Sequence, residues 1–202
     1  EQAMPVTDTT RPVGRPREFD EDAVLEAAME VFWRKGYEAT SLADLCDCTG
    51  LHKGSLYQTF GSKHDLFMRA LKHYIDRQFS AVASAAESAD SPLANLRAAM
   101  RTLICTVSED WGCLMVNSLV ELAPHDAAVR ELLQASAQRR IGRMAALVGE
   151  AQAAGELRRD QSPETVAMQL MVTLAGLAAT LKGFLSEAQA LQTVDNVLAS
   201  LA

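Results

Sequence analysis

Residues 50–63 read GLHKGSLYQTFGSK. They hold two lysines, a histidine, the hydroxyls of Ser55, Tyr57, Thr59 and Ser62 and no acidic residue, in a chain whose formal net charge is -7. A glycine between two short helical patterns marks the turn of a helix-turn-helix, in which the two helices meet at a steep angle. Gly50 is that turn glycine and Leu51 the apolar residue after it. Leu45 and Leu56 plug the gap between the helices, and Cys46 stands where the motif needs a small buried side chain. In this geometry the second helix enters the DNA major groove and presents its N-terminal residues to base edges. His52, Lys53, Ser55 and Gln58 are therefore expected at or near the bases. Ser41, Tyr57 and Lys63 are expected at phosphate oxygens. Lys63 and the N–H groups that open its helix form an expected anion site.

Upstream, RPVGRPR at residues 11–17 adds three positive charges and no negative one. Residues 1–18 are predicted to be a flexible basic arm, with Arg15 and Arg17 able to enter a narrow minor groove. From Phe19 the pattern turns helical: Val24, Leu25, Ala28, Met29 and Phe32 share a face, and Gly36 closes that helix. Ser41 and Asp44 have the spacing of a capping box, as do Ser62 and Asp65. The second pair opens a long helix over 62–87, with Leu66, Phe67, Ala70, Leu71 and Tyr74 inward. Further helices are predicted from Ser91-Pro92, over 113–123, 126–154, 163–184 and 187–201. The fold class is all-α, with about nine helices. The chain divides into the arm (1–18), a helix-turn-helix unit (19–61) and a larger helical bundle (62–202).

Apolar residues make up 49% and charged residues 22% of the 202 positions, the balance of an ordinary globular protein. Residues 1–65 hold 7 Lys/Arg against 12 Asp/Glu, so DNA binding must come from where the charges fall and not from their sum. No uninterrupted apolar run reaches the ~18 residues of a membrane span, and the N-terminus lacks the apolar segment of a secretory signal. A cytoplasmic protein is expected, and in that compartment Cys46, Cys48, Cys105 and Cys113 are not expected to form structural disulfides. Cys46 and Cys48 are two apart on a helix and point to opposite sides, which makes them poor chelators with His52. No metal or cofactor motif is present.

The stretches GRPREFDEDAVLEAAMEVFWRKGYEATSL and TGLHKGSLYQTFGSKHDLF, with the long helix behind them, resemble the N-terminal domain of the TetR family of bacterial transcriptional repressors. The Leu-Tyr-x-x-Phe and Ser-Lys of GSLYQTFGSK are the specific part. The resemblance covers residues 14–75, about a third of the chain. It implies a homodimer, a two-domain all-α fold, a near-palindromic double-stranded operator and a C-terminal domain that binds a small-molecule effector. Cys46 departs from the alanine usual in the family, and it is small enough to fit. DWGCLMVNSLVELAPHDAAV resembles a subset of the family with Gly-Cys-Leu at this point, in some members of which the cysteine is a reactive, electrophile-sensing group.

In the larger unit Met100, Trp111, Cys113, Asn117, Glu121, Met144 and Met171 are the expected lining of an effector pocket, since methionines suit adaptable apolar cavities and Asn117 and Glu121 lie one turn apart. Cys113 opens a helix, where thiols tend towards thiolate, and Cys105 lies eight residues earlier. The alternatives are a redox pair and plain core packing. The helix TVAMQLMVTLAGLAATLKGFL is apolar nearly all round, which requires burial on both sides; its small residues Ala175, Gly176, Ala178 and Ala179 suit a dimer interface. Cys113 with His125 would be the nucleophile and base of an enzyme, but no third orienting group accompanies them.

Overall fold

The computed structural model describes residues 20–87 and 90–202. The expected arm, with Arg15 and Arg17, lies outside the described residues. Among those described there are nine helices and no strand: α1 (Glu21–Lys35), α2 (Leu42–Thr49), α3 (Lys53–Phe60), α4 (Lys63–Ala85), α5 (Pro92–Cys105), α6 (Leu114–Glu121), α7 (Ala127–Ala153), α8 (Pro163–Leu181) and α9 (Glu187–Leu201).

At every helix start except those of α3 and α6, a short polar side chain accepts N–H groups that have no partner within the helix. Asp20 accepts from Asp22 N and Ala23 N at 3.0 and 3.3 Å, Ser62 from Asp65 N at 3.0 Å, and Asp126 from Val129 N at 3.0 Å. Helices α2 and α9 open with reciprocal capping boxes, Ser41 with Asp44 and Ser186 with Gln189. Ser91-Pro92 and Ser162-Pro163 place a proline in the first turn of α5 and α8, where its missing N–H costs nothing. Helix α8 stops at Leu181, short of the expected 184, because the N–H groups of Gly183, Phe184 and Leu185 all turn back to the Thr180 carbonyl.

Helix α1 lies along α4, α4 against α5, and α7 against both α5 and α8, while α9 covers α5. The buried side chains form one continuous core. Trp33 of α1, Tyr74 of α4 and Trp111 meet within it. The Trp33 ring lies edge-to-face at 5.0 Å from Tyr74 and 5.8 Å from Trp111. Trp33 Nε1 donates to the Gly112 carbonyl at 2.9 Å. On α6, the Glu121 carboxylate accepts from the N–H groups of Tyr37 (3.2 Å) and Glu38 (3.0 Å), in the turn after α1. His64 Nε2 lies 2.6 Å from Asp126 Oδ2, linking the first turn of α4 to the cap of α7.

Helix α8 is long and apolar enough to cross a membrane by length and composition, although polar residues such as Gln169 and Thr173 interrupt its apolar run. Its apolar residues divide between two faces. Val166, Leu170, Leu174, Leu177 and Leu181 are buried against the bundle, whereas Met168, Val172, Ala175, Gly176 and Ala179 form an exposed stripe.

Candidate DNA-binding face and effector cavity

Leu45 (0% exposed) and Leu56 (3%) close the contact between α2 and α3, with Cys46 and Leu51 packed at its edge. Gly50 has φ 67°, the left-handed conformation that a side chain disfavours, and this lets α3 turn away from α2 directly after Thr49. Leu56 and Phe60 anchor the inner side of α3. His52, Lys53, Gly54, Tyr57 and Gln58 are exposed on the outer side, and Ser55 is half-buried between. Lys53 Nζ stands 5.8 Å over the Tyr57 ring, which is 42% exposed despite its size. An apolar ring left on the surface beside a cation suits a flat, negatively charged partner.

Two expected phosphate contacts are engaged within the chain. The Ser41 hydroxyl donates to Asp44 Oδ2 at 2.7 Å as part of its capping box. Lys63 Nζ lies 4.4 Å over the Tyr37 ring. The helix start behind Lys63 also carries Asp65, whose Oδ2 accepts from the Ser62 hydroxyl at 2.6 Å. Lys35 holds Asp44 in an ion pair at 2.5 Å, and that contact, with the Ser41 hydrogen bonds, keeps the Asp44 carboxyl well below its usual pKa.

Two adjoining cavities lie among α4, α5, α7 and α8, of about 500 Å³ and about 230 Å³; they share Gln78, Leu103, Arg140 and Met171. Of the expected pocket residues, Met171 lines both, Met144 the larger and Cys113 the smaller. The other four lie elsewhere. Met100 is fully buried in the core, and Trp111 packs on Trp33. Asn117 donates to the Trp111 carbonyl at 2.7 Å. Glu121 is taken up by the turn after α1, as described above.

A buried polar chain crosses the shared wall. Arg140 Nη2 donates to Gln78 Oε1 at 2.6 Å; Gln78 Nε2 donates to the Tyr74 hydroxyl at 2.8 Å and to Thr106 Oγ1 at 3.0 Å. The Tyr74 hydroxyl donates to Cys113 Sγ at 3.5 Å. Burial pushes the Tyr74 pKa up, helped by Cys113 beside it, and lowers that of Arg140. Spacing carried a signal for both polar members. Gln78 lies one turn beyond Tyr74 and Arg140 one turn before Met144, so each falls on a stripe that is otherwise inward-facing.

The cysteines are all free thiols. Cys105 and Cys113, the alternative redox pair, are not bonded to each other and lie in different surroundings. Cys105 is exposed, with Sγ 3.9 Å from Glu187 Oε1, whereas Cys113 is buried against Tyr74. Desolvation, followed by the Glu187 charge, raises the Cys105 pKa, which opposes thiolate formation.

Residues 24–70 match the family described as bacterial regulatory proteins, tetR family. Residues 92–197 match the tetracyclin repressor-like C-terminal domain. The chain is 37% identical over 160 residues to the HTH-type transcriptional repressor ComR of Escherichia coli (strain K12), covering 75% of this chain and 76% of that protein. It is 29% identical over 185 residues to the transcriptional regulator AcuR of Cereibacter sphaeroides, covering 81% and 82%. Among solved structures, a cysteine mutant of the TetR family transcriptional regulator CifR, complexed with a 26bp double-strand operator DNA, superposes with a TM-score of 0.81 at 31% identity. That match covers 94% of this chain and 100% of that one.

Proposed function

The chain belongs to the TetR family of bacterial regulatory proteins, and from that premise we infer that it is a DNA-binding transcriptional repressor released from its operator by a small molecule in the α4–α8 cavity. The observation that carries the reading is the outer side of α3, acid-free and bearing Lys53 against an exposed Tyr57. His52, Lys53, Ser55 and Gln58 reach base edges in the major groove; Tyr57, Ser41 and Lys63 serve the phosphates once Lys63 leaves the Tyr37 ring; Arg15 and Arg17 follow the minor groove. Residues 19–61 form the DNA-binding unit and 62–202 the effector and dimer unit. A regulator of this kind works in the cytoplasm, where its operator lies.

The exposed stripe of α8 meets its copy in a second subunit across a two-fold axis, with Ala175, Gly176 and Ala179 permitting close approach. The two α3 helices then sit about one DNA turn apart. Helix α6 couples the cavity to this spacing. Met115, Val116 and Leu119 line the smaller chamber, and Glu121 at the end of the same helix holds the turn after α1. A ligand that displaces α6 pulls that turn, and α4, which runs from Lys63 at the DNA end to Gln78 at the cavity, moves with it.

The test is a mobility-shift titration of DNA from the protein's own upstream region at two salt concentrations. Wild type gives a saturable, sequence-selective shift. Tyr57→Ala weakens it, and Lys53→Ala both weakens it and lowers the salt slope by about one. Binding that ignores sequence and survives both substitutions refutes the assignment of α3.

A further inference from the structure

We propose that the effector is a small monocarboxylate with an apolar body, its acid group paired with Arg140 and its tail in the 230 Å³ chamber. The proposal rests on the regulator reading only for its consequence at the operator; the ligand site stands on its own geometry. Arg140 lies in the wall common to both cavities, and its Nε is buried with no hydrogen-bond partner. Among the described residues no carboxylate forms an ion pair with it. The one hydrogen-bond partner of its guanidinium among the described residues is the neutral Gln78 side chain, and the Phe79 ring lies 5.1 Å from the guanidinium carbon. Arg140 as a whole is half-buried, yet a cation drawn into a cavity wall without a counter-charge still loses hydration that nothing replaces, and guanidinium keeps its charge even when burial lowers its pKa. An incoming carboxylate supplies both the missing charge and an acceptor, in the two-pronged geometry that guanidinium favours.

The size and chemistry of the chamber narrow the class. Its volume is the space of roughly eight water molecules. Ile104, Met115, Leu133 and Leu174 line it, and beyond Arg140 its polar lining is the uncharged Gln78 and Gln134. One cation in an apolar chamber suits a singly charged acid with a short alkyl or aryl tail; a nucleotide or diphosphate needs more cations and more room. The larger cavity adds Arg139 and Arg143 at its wall, with Asp76 and Glu87, of which Asp76 is paired with Lys72. Arg139, Arg143 and Glu87 are exposed, and none of these four residues lines the smaller chamber.

The experiment is isothermal titration calorimetry of the full chain, without DNA, against butyrate, hexanoate, octanoate and benzoate and against their primary amides. The acids are expected to bind wild type at least ten-fold more tightly than the matched amides. R140Q loses about ten- to hundred-fold in acid affinity while leaving the amides unchanged, and R140K retains part of the preference. Equal affinity for acid and amide, acid binding indifferent to R140Q, or no binding of any acid to wild type each overturns the proposal. If R140Q does not fold, the acid–amide comparison on wild type and R140K decides alone. A mobility shift is run in parallel, without acid and with each acid added. Absence of a shift without acid counts against the repressor reading and leaves the calorimetric result intact, whereas operator binding that no acid weakens overturns the assignment of the acid as effector.

Discussion

Replacing Glu121 by alanine cuts the direct hydrogen-bonded hold of α6 on the turn after α1. The wild-type carboxylate accepts N–H groups from Tyr37 and Glu38 at 3.2 and 3.0 Å. A hydrogen bond to a charged group contributes about 1.5–3 kcal/mol when shielded, but Glu38 is exposed and its N–H regains water once the carboxylate is gone. Alanine also favours the helix, and removing an anion from the last turn of α6 returns a few tenths of a kcal/mol. The net loss is about 1–2 kcal/mol. Urea unfolding followed by circular dichroism at one fixed protein concentration measures it, since an associating protein changes apparent stability with concentration. Gly36 offers an independent approach to the same contact. A Cβ there would lie 3.1 Å from both Glu121 oxygens, on a residue whose φ is 83°. Gly36→Ala therefore costs both backbone strain and this collision, and in the Glu121→Ala background only the strain remains. The two substitutions should be non-additive, with the double variant more stable than the sum of the singles predicts. A Glu121→Ala variant within about 0.3 kcal/mol of wild type, together with additive effects, would refute the reasoning.

Val172→Asp places a charge on the exposed stripe of α8 and, in a two-fold dimer, two like charges near each other; analytical ultracentrifugation should show a dissociation constant raised at least ~100-fold. An unchanged constant removes α8 from the interface. Ser62→Ala deletes the cap of α4 and should lower stability by about 1 kcal/mol, read from the urea midpoint. Asp44 and Asp126 both have lowered pKa values, Asp44 through Lys35 and Ser41 and Asp126 first through the Val129 N–H and then through His64. Lowered carboxyls stabilise the fold above their unfolded pKa of about 4, and the contribution is lost as pH falls through the folded values. Urea midpoints should therefore drop steeply on the acid side, and Asp44→Asn should flatten that limb; parallel profiles would exclude Asp44 as a contributor.

Local chemistry made most of the fold legible. Ser62, Ser91, Asp126 and Ser162 announce helix starts because a helix needs acceptors for its first N–H groups wherever it lies in the fold. Gly50 and the apolar spacing around it located α2 and α3, because the left-handed turn between them favours glycine. The cavity was less legible because a side chain's partner across space has no sequence signature. Glu121 and Asn117 looked like a polar pair on one helix, yet one reaches back to Tyr37 and Glu38 and the other to the Trp111 carbonyl. The Cys105–Cys113 spacing suggested proximity, but the turn between them sends one thiol to the surface and the other under Tyr74. Arg140 and Gln78 were detectable as polar residues on inward stripes; the apolar positions drew attention instead.

The chain has two tryptophans, and the contact between Trp33 and Trp111 lies where α1 meets the segment leading into α6. Trp33 is hydrogen-bonded to Gly112, next to Cys113 at the chamber wall. All indole emission from this protein therefore originates at the junction between the DNA-facing unit and the cavity. No dye needs to be attached to observe that junction. A displacement of α6 alters the indole–indole contact and the Trp33 hydrogen bond together, so the emission spectrum and the near-ultraviolet dichroism of the unlabelled protein follow the relative movement of the two units in real time.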